Sequence, residues 1–358
     1  MKKYSQTLIF FLYILPLMCI SQIKEMGKLR LNEIQVIGSH NSYKIAIEKP
    51  LWNYLFQQDY MMARSLQYEH LTLTEQLELG LRNLELDVFH DPKGGYYKYP
   101  AGLEIVKASG KKPLPFDVAN KLDEPGLKVF HVQDIDFRSH QLLFKDALKE
   151  LLVWSGEHPE HIPIIITLNT KDGKISRLRD PLTFDADALI QLDLEIRDVL
   201  SEEKLITPDL VRGNSTSLEK AILGRGWPRL EKVRGRFLFV LDEGDEKGNL
   251  YLQKFPELKN AVLFLNKQEG SPEAAFRIIN DPVANFEKIR ALVEKGNLVR
   301  TRADAGTFEA RENDYSRFEK AKSSGAQIIT TDYYMPSTLF ESNFKVDFGE
   351  GVYERVGN

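Results

Sequence analysis

LRNLELDVFH, residues 81–90, reads through Phe89 as an apolar strand that carries two carboxylates, Glu85 and Asp87. Residues two apart on a strand share a face, so both acids point the same way. Two carboxylates at the end of a buried strand repel one another and resist desolvation, and a divalent cation held through oxygen is a common solution. The ordinary alternative is that one acid pairs with an arginine and the other is solvated. Glu-x-Asp alone does not choose between them.

Strand-like runs recur on both sides of this stretch, at 33–39, 82–88, 128–132, 162–169, 236–242, 261–266, 298–304 and 326–332. Helical patterns at 73–79, 141–154, 186–200, 286–294 and 315–323 alternate with them, as a parallel sheet requires. Eight such units predict an α/β fold, a single-domain (β/α)8 TIM barrel, whose chemistry gathers at the carboxyl ends of the strands. Those ends are polar: His40 and Asn41, Glu85 and Asp87, His131, Asn169 followed by Lys171, Asp242, Asn266, Arg302 with Asp304, and Asp332. Parity puts His40 on the face of Gly38, His131 on that of Val129, and Asn169 and Lys171 on that of Thr167. If those faces look inward, two histidines and the carboxylate pair meet over one cavity. That set suits phosphoryl transfer, in which charge grows on phosphoryl oxygens, a hydroxyl loses a proton and a leaving oxygen gains one. Oxygen ligands without histidine favour Ca²⁺, with Mg²⁺ second, over zinc.

The chain has 358 residues, a formal net charge of −4 and one cysteine. Mixed charge gives no basic field for nucleic acid. Lys2 and Lys3, an apolar run over 8–20 and the small residues Cys19 and Ser21 read as a secretory signal peptide over 1–21, cleaved after Ser21. The mature chain 22–358 is then a thiol-free, exported protein, periplasmic or extracellular. Lipoprotein anchoring through Cys19 is the weaker alternative, because Pro16-Leu17-Met18 lacks the small residue such processing prefers.

Four blocks carry a resemblance: GSHNSY at 38–43, LELDVFHD at 84–91, FHVQDIDFRS at 130–139 and PIIITLN at 163–169. Their order and strand contexts, with LVRTRAD and AQIITTDYY later, resemble the calcium-dependent phosphoinositide-specific phospholipase C family in its compact secreted bacterial form. The resemblance implies that Asn41, Glu85 and Asp87 are calcium ligands. It implies that His40 hydrogen-bonds a phosphoryl oxygen and that His131 protonates the leaving glycerol oxygen. It implies further that the inositol 2-hydroxyl attacks phosphorus, that a ligating carboxylate such as Glu85 takes its proton, and that the products are diacylglycerol and a cyclic inositol phosphate.

Two features depart from that pattern. Asn169 stands where eukaryotic members carry a glutamate ligand; its amide oxygen can still bind calcium and is expected as the fourth ligand, but it brings neither charge nor basicity, and Asp172 or Asp134 are the candidates to compensate. Residues 91–127 form a long insertion between the second and third predicted strands, expected as turns and exposed loop walling the site. Lys171 and Arg302 are expected to bind phosphate at the rim, or else to form ion pairs with Asp304 and its neighbours. His90 falls off the Glu85/Asp87 face and reads as a loop hydrogen-bonding residue; His70, His140, His158 and His161 read as surface groups. The aromatic and Met-rich stretch 52–62 either packs on the barrel rim or makes peripheral contact with a membrane surface. The competing functions are a glycerophosphodiester phosphodiesterase, which Asn41-Ser42-Tyr43 after His40 argues against, and a catalytically silent inositide- or lipid-binding protein.

Overall fold

The computed structural model describes residues 26–357, so the signal peptide expected over 1–21, with Cys19, lies outside the described residues. Eight parallel strands follow one another around a barrel: β1 (Ile34–Ser39), β2 (Asn83–Phe89), β4 (Ile164–Thr170), β5 (Phe237–Leu241), β6 (Leu263–Leu265), β7 (Phe276–Ile278), β8 (Leu298–Arg302) and β9 (Ile328–Thr331). β9 pairs with β1, and a single parallel bridge from Asn266 to Phe276 joins β6 to β7. Two short strands stand outside the ring: β3 (Lys128–Val129) lies antiparallel on β2, and β10 (Glu354–Val356) antiparallel on β1.

The strand count is as expected, but its membership is not. The run 128–132 is no barrel strand: after Val129 the chain turns back at once, with the His131 and Val132 N–H groups donating to the Asp136 carbonyl. Its place in the ring is taken by β7, whose three residues Phe276-Arg277-Ile278 are too short and too interrupted by charge to stand out as an apolar run.

Alternation along the strands sorts side chains into a polar lumen and an apolar exterior. In β2, Leu84, Leu86 and Val88 pack outward into the main core with Leu148 and Leu151 of the helix Phe144–Glu157, which leaves Asn83, Glu85 and Asp87 inside. The parallel register of β2 and β4 pairs Glu85 with Thr167 and Asp87 with Asn169, so these four share the lumen. Local signals end the helices where the barrel needs them to end. Thr72 and Glu75 form a reciprocal cap at the start of the helix Leu73–Leu79, and Gly80 stops it at φ 107° just before β2.

Above the barrel, the helices Lys49–Gln58, Tyr60–Ser65 and Ala101–Ala108 share a small core of Leu51, Leu55, Ala63, Val106 and Phe137. Ala101–Ala108 belongs to the insertion 91–127, which therefore carries ordered structure where loop was expected. The stretch 52–62 is helical and partly packed: the Trp52 indole donates to the Ala63 carbonyl at 2.9 Å. Tyr54, Tyr60 and Met61 remain exposed. Among the described residues no helix is long and apolar enough to cross a membrane.

Gly38 is the position where β1 cannot carry a side chain. A Cβ there would lie 2.6 Å from the Asn83 Cβ, Oδ1 and carbonyl oxygen of the neighbouring strand. Gly38→Ala is expected to destabilise the protein by about 1–3 kcal/mol through overpacking. Denaturant unfolding checks this, and an unchanged midpoint would contradict the packing described.

Candidate active site

A cavity of about 200 Å³ opens at the carboxyl ends of the strands, lined by His40, Asn41, Glu85, Asp87, His131, Asn169, Lys171, Asp242, Asn280 and Arg300. A wider cleft of about 490 Å³ shares His131, Asn169 and Lys171 with it and continues over Thr170, Asp172, Glu243 and Lys247. No residue of the insertion 91–127 lines either space. The expected wall is built instead by residues that follow β3 and β4.

Each histidine of the cavity is aimed by a buried carboxylate. His40 leaves β1 with its Nδ1 2.9 Å from Asp332 Oδ1, just past β9. Arg302 bridges the pair, donating to His40 Nε2 at 3.2 Å and to Asp332 Oδ2 at 3.1 Å. The tautomer this network assigns carries its proton on Nδ1 and accepts at Nε2. Burial works to raise Asp332, but His40, Arg302 and His70 outweigh it and hold its carboxyl well below the usual range. Behind it, Asp304 accepts from the Thr331 hydroxyl and, at 3.1 Å, from the Asp332 N–H. Burial and the Asp332 charge push Asp304 up to about 7 against the pull of Arg302. The result is one firmly ionised acid behind His40 and a second that is not.

His131 is held by its own loop. The tight turn after Val129 returns Asp136, whose Oδ2 lies 2.8 Å from His131 Nδ1. The other oxygen accepts from Lys44 Nζ at 2.9 Å, and neither the Lys44 nor the Asp136 side chain is accessible to solvent. Burial opposes ionisation of Asp136, yet Lys44 and His131 bring it below its ordinary value. Lys44 also sits 4.8 Å over the Tyr68 ring.

Between the histidines lie the oxygens. Asn41 takes a left-handed backbone, φ 53°, which asparagine tolerates better than most residues. Its amide donates to Tyr68 Oη at 2.6 Å and accepts from Tyr43 Oη at 3.3 Å. Asn169 donates to the Asp242 carbonyl at 3.1 Å, which leaves its Oδ1 for the cavity. Glu85 is bonded through Oε2 to Arg300, with Oε1 3.6 Å from His40 Nε2. Asp87 Oδ2 is 3.0 Å from Lys171 Nζ, an ion pair whose alignment falls short of a hydrogen bond. Burial, helped by Glu85, Glu243 and Asp87, raises Asp242 to about 7 although Arg300 stands near it.

Among the described residues no group of three or more His, Cys, Asp and Glu side chains is arranged to hold a metal ion. The fit to calcium rests instead on a mixed set: Glu85, Asp87 and the amide oxygens of Asn41 and Asn169, all oxygen, with one buried carboxylate oxygen left without a hydrogen bond. That donor chemistry suits a hard cation.

Of the residues expected at the site, His40, Asn41, Glu85, Asp87, His131, Asn169 and Lys171 line the one cavity. Arg302 stands behind His40 rather than in the lining, and both it and Lys171 are engaged in ion pairs. The proposed substitutes for the missing glutamate do not reach the cavity. Asp134 caps backbone N–H groups of Ala101 and Arg179, and Asp172 pairs with Lys247 at 2.8 Å. The extra acid there is Asp242. Two supposed surface histidines are buried. His70 bonds to the His40 carbonyl at 2.7 Å and His161 to Ser155 Oγ at 2.9 Å. Burial lowers each to about 4, because an imidazolium in those settings loses its hydration. His140 and His158 are half-buried, and His90 makes the expected loop contact, 3.3 Å from the Thr183 carbonyl. Arg300, Asn280, Asp136 and Lys44 were not singled out by sequence; parity with Arg302 was the one available signal for Arg300.

Residues 29–357 match the family model described as phosphoinositide phospholipase C, Ca²⁺-dependent. Among solved structures, the chain is similar to a calcium-dependent phosphoinositol-specific phospholipase C from the Gram-negative bacterium Pseudomonas sp., apo form, myoinositol complex. That likeness has a TM-score of 0.58 at 15% identity and covers 93% of this chain and 97% of that one. It is also similar to a Ca²⁺-dependent phosphatidylinositol-specific phospholipase C from Streptomyces antibioticus, with a TM-score of 0.53 at 16% identity over 85% of this chain and 95% of that one. At these identities the structures attest the barrel fold. No curated protein matches the sequence.

Two outcomes follow from this charge layout. Lys44→Met leaves the Asp136 charge buried with half its support, a change expected to cost about 3–5 kcal/mol. Lys44→Met/Asp136→Asn is expected to cost well under the sum of its two single changes, and additivity in denaturant unfolding would mean the pair is not coupled. His161 supplies a pH signature. Its folded-state value of about 4 lies below the ordinary 6.5, so only the unfolded chain takes up its proton between those values. Stability from this group is therefore full above pH 6.5 and falls as pH drops toward 4, by about 3 kcal/mol in all. His161→Gln is expected to flatten the stability-against-pH curve in that window; an unchanged slope would mean His161 titrates normally.

Proposed function

The chain belongs to the Ca²⁺-dependent phosphoinositide phospholipase C family and is a phosphoric diester hydrolase, and from that membership we propose that it cleaves phosphatidylinositol between phosphate and glycerol. Two carboxylate-aimed histidines lining the same small cavity as Glu85 and Asp87 carry this reading. When bound among Asn41, Glu85, Asp87 and Asn169, calcium supplies positive charge to the phosphoryl oxygens and acidifies the attacking hydroxyl.

The inositol 2-hydroxyl attacks phosphorus and the bond from phosphorus to the glycerol oxygen breaks. His131 gives that oxygen its proton from Nε2, while Asp136 holds Nδ1–H and supports the charged ring before transfer. The hydroxyl proton goes to the His40–Glu85 side of the cavity. Of that pair Glu85 is the better acceptor: Arg300 takes only its Oε2 and leaves Oε1 for the cavity, whereas His40 Nε2 already accepts from Arg302 and its Nδ1 faces Asp332. Diacylglycerol and a cyclic inositol phosphate result; water opens the cyclic product with His131 now taking a proton from water and Glu85 returning one to the inositol oxygen. The reading includes export through residues 1–21 and contact with the lipid surface through Tyr54, Tyr60 and Met61.

Phosphorus NMR of the mature protein with phosphatidylinositol or glycerophosphoinositol, with calcium or with chelator, tests this. The expected product is a calcium-dependent cyclic inositol phosphate, and His131→Asn is expected to lower kcat by about 10²–10⁴-fold. Glycerol 3-phosphate as the product, or binding without turnover, would contradict it.

A further inference from the structure

The cavity that is read as a calcium site already contains two cations of its own. Arg300 is bonded to Glu85, its side chain is 1% exposed, and Asn280 Oδ1 and Asp242 hold it from the other side at 2.5 and 3.7 Å. It is fixed. Lys171 is bound differently: its ammonium is 3.0 Å from Asp87 Oδ2, its side chain is 28% exposed, and Asp87 is the one carboxylate within ion-pair distance of it among the described residues. Lys171 also lines both the 200 Å³ cavity and the 490 Å³ cleft beside it. The ammonium thus has room to leave Asp87 without crossing packed side chains.

Charge makes the competition matter. Glu85 and Asp87 bring two negative charges, and Lys171 and Arg300 cancel both. Asn41 and Asn169 add oxygen but no charge. Calcium sites draw affinity from the charge of their ligands, and an ammonium 3.0 Å from a ligand oxygen competes with a metal cation for that oxygen. We propose that Lys171 is an internal counter-cation, which calcium must displace from Asp87, so that this one side chain sets the calcium affinity of the site. The inference rests on the calcium reading above.

The test is calorimetric titration of calcium into the wild type, Lys171→Met and Lys171→Gln at one low ionic strength, with the calcium-induced rise in Tm measured alongside. Both variants are expected to bind on the order of tenfold more tightly than the wild type and to gain more in Tm. Nuclear magnetic resonance of dimethylated lysines on the wild type gives the same answer without substitution, as a shift of the Lys171 signal on adding calcium. Calcium binding by variants whose wild type binds none would support the displacement more strongly still. Wild-type binding with equal or weaker binding by both variants, and a Lys171 signal that does not move, would overturn the counter-cation. Absence of binding by all three proteins would instead overturn the calcium reading, and this inference with it.

Discussion

The placement of Glu85 and Asp87 two residues apart on the inner face of β2 is the constraint to which the rest of the site answers. Both carboxylates are almost wholly buried, and neither is stable there without positive charge. Arg300 from β8 meets one and Lys171, just past β4, meets the other. Of the ordinary alternative stated at the start, the arginine partner is present on Glu85, but Asp87 is buried against Lys171 rather than solvated, and such pairing does not exclude a bound cation. The Glu85/Asp87 pair is charge-balanced as folded, and the cavity still presents the all-oxygen set that a hard cation takes.

A second layer of buried charge gives that cavity its aim. Asp332 and Asp136 each orient one histidine, and each is in turn held by a cation, Arg302 and Lys44. Buried carboxylates with a single partner would be costly; with two partners each they fix the rings and stay ionised. The contrast with Asp304 and Asp242, both lifted to about 7, shows how far local support decides the state of an acid in this barrel.

Much of this was legible in the sequence because a parallel barrel writes itself as apolar runs with polar ends. Parity, with each polar face taken to look inward, puts His40, Glu85, Asp87, Asn169 and Lys171 over one cavity; the structure has all five lining one space, and the register of β2 on β4 sets Asp87 beside Asn169. His131 reached the same cavity by a route parity did not describe, a turn after two residues of strand rather than a barrel strand. β7 was hidden because three residues carry too little pattern. The supports were hidden for another reason: Lys44 and Asp136 are 92 positions apart, and Glu85 and Arg300 are 215 apart. Only the closed barrel brings them together, and no local pattern marks a lysine or an arginine as buried.

Anomalous diffraction from crystals of the protein soaked in calcium tests the account most directly. It predicts one calcium peak in the cavity among Asn41, Glu85, Asp87 and Asn169, with the Lys171 side chain moved off Asp87. A calcium peak elsewhere on the protein, or a cavity without one in which Lys171 still pairs with Asp87, would contradict it.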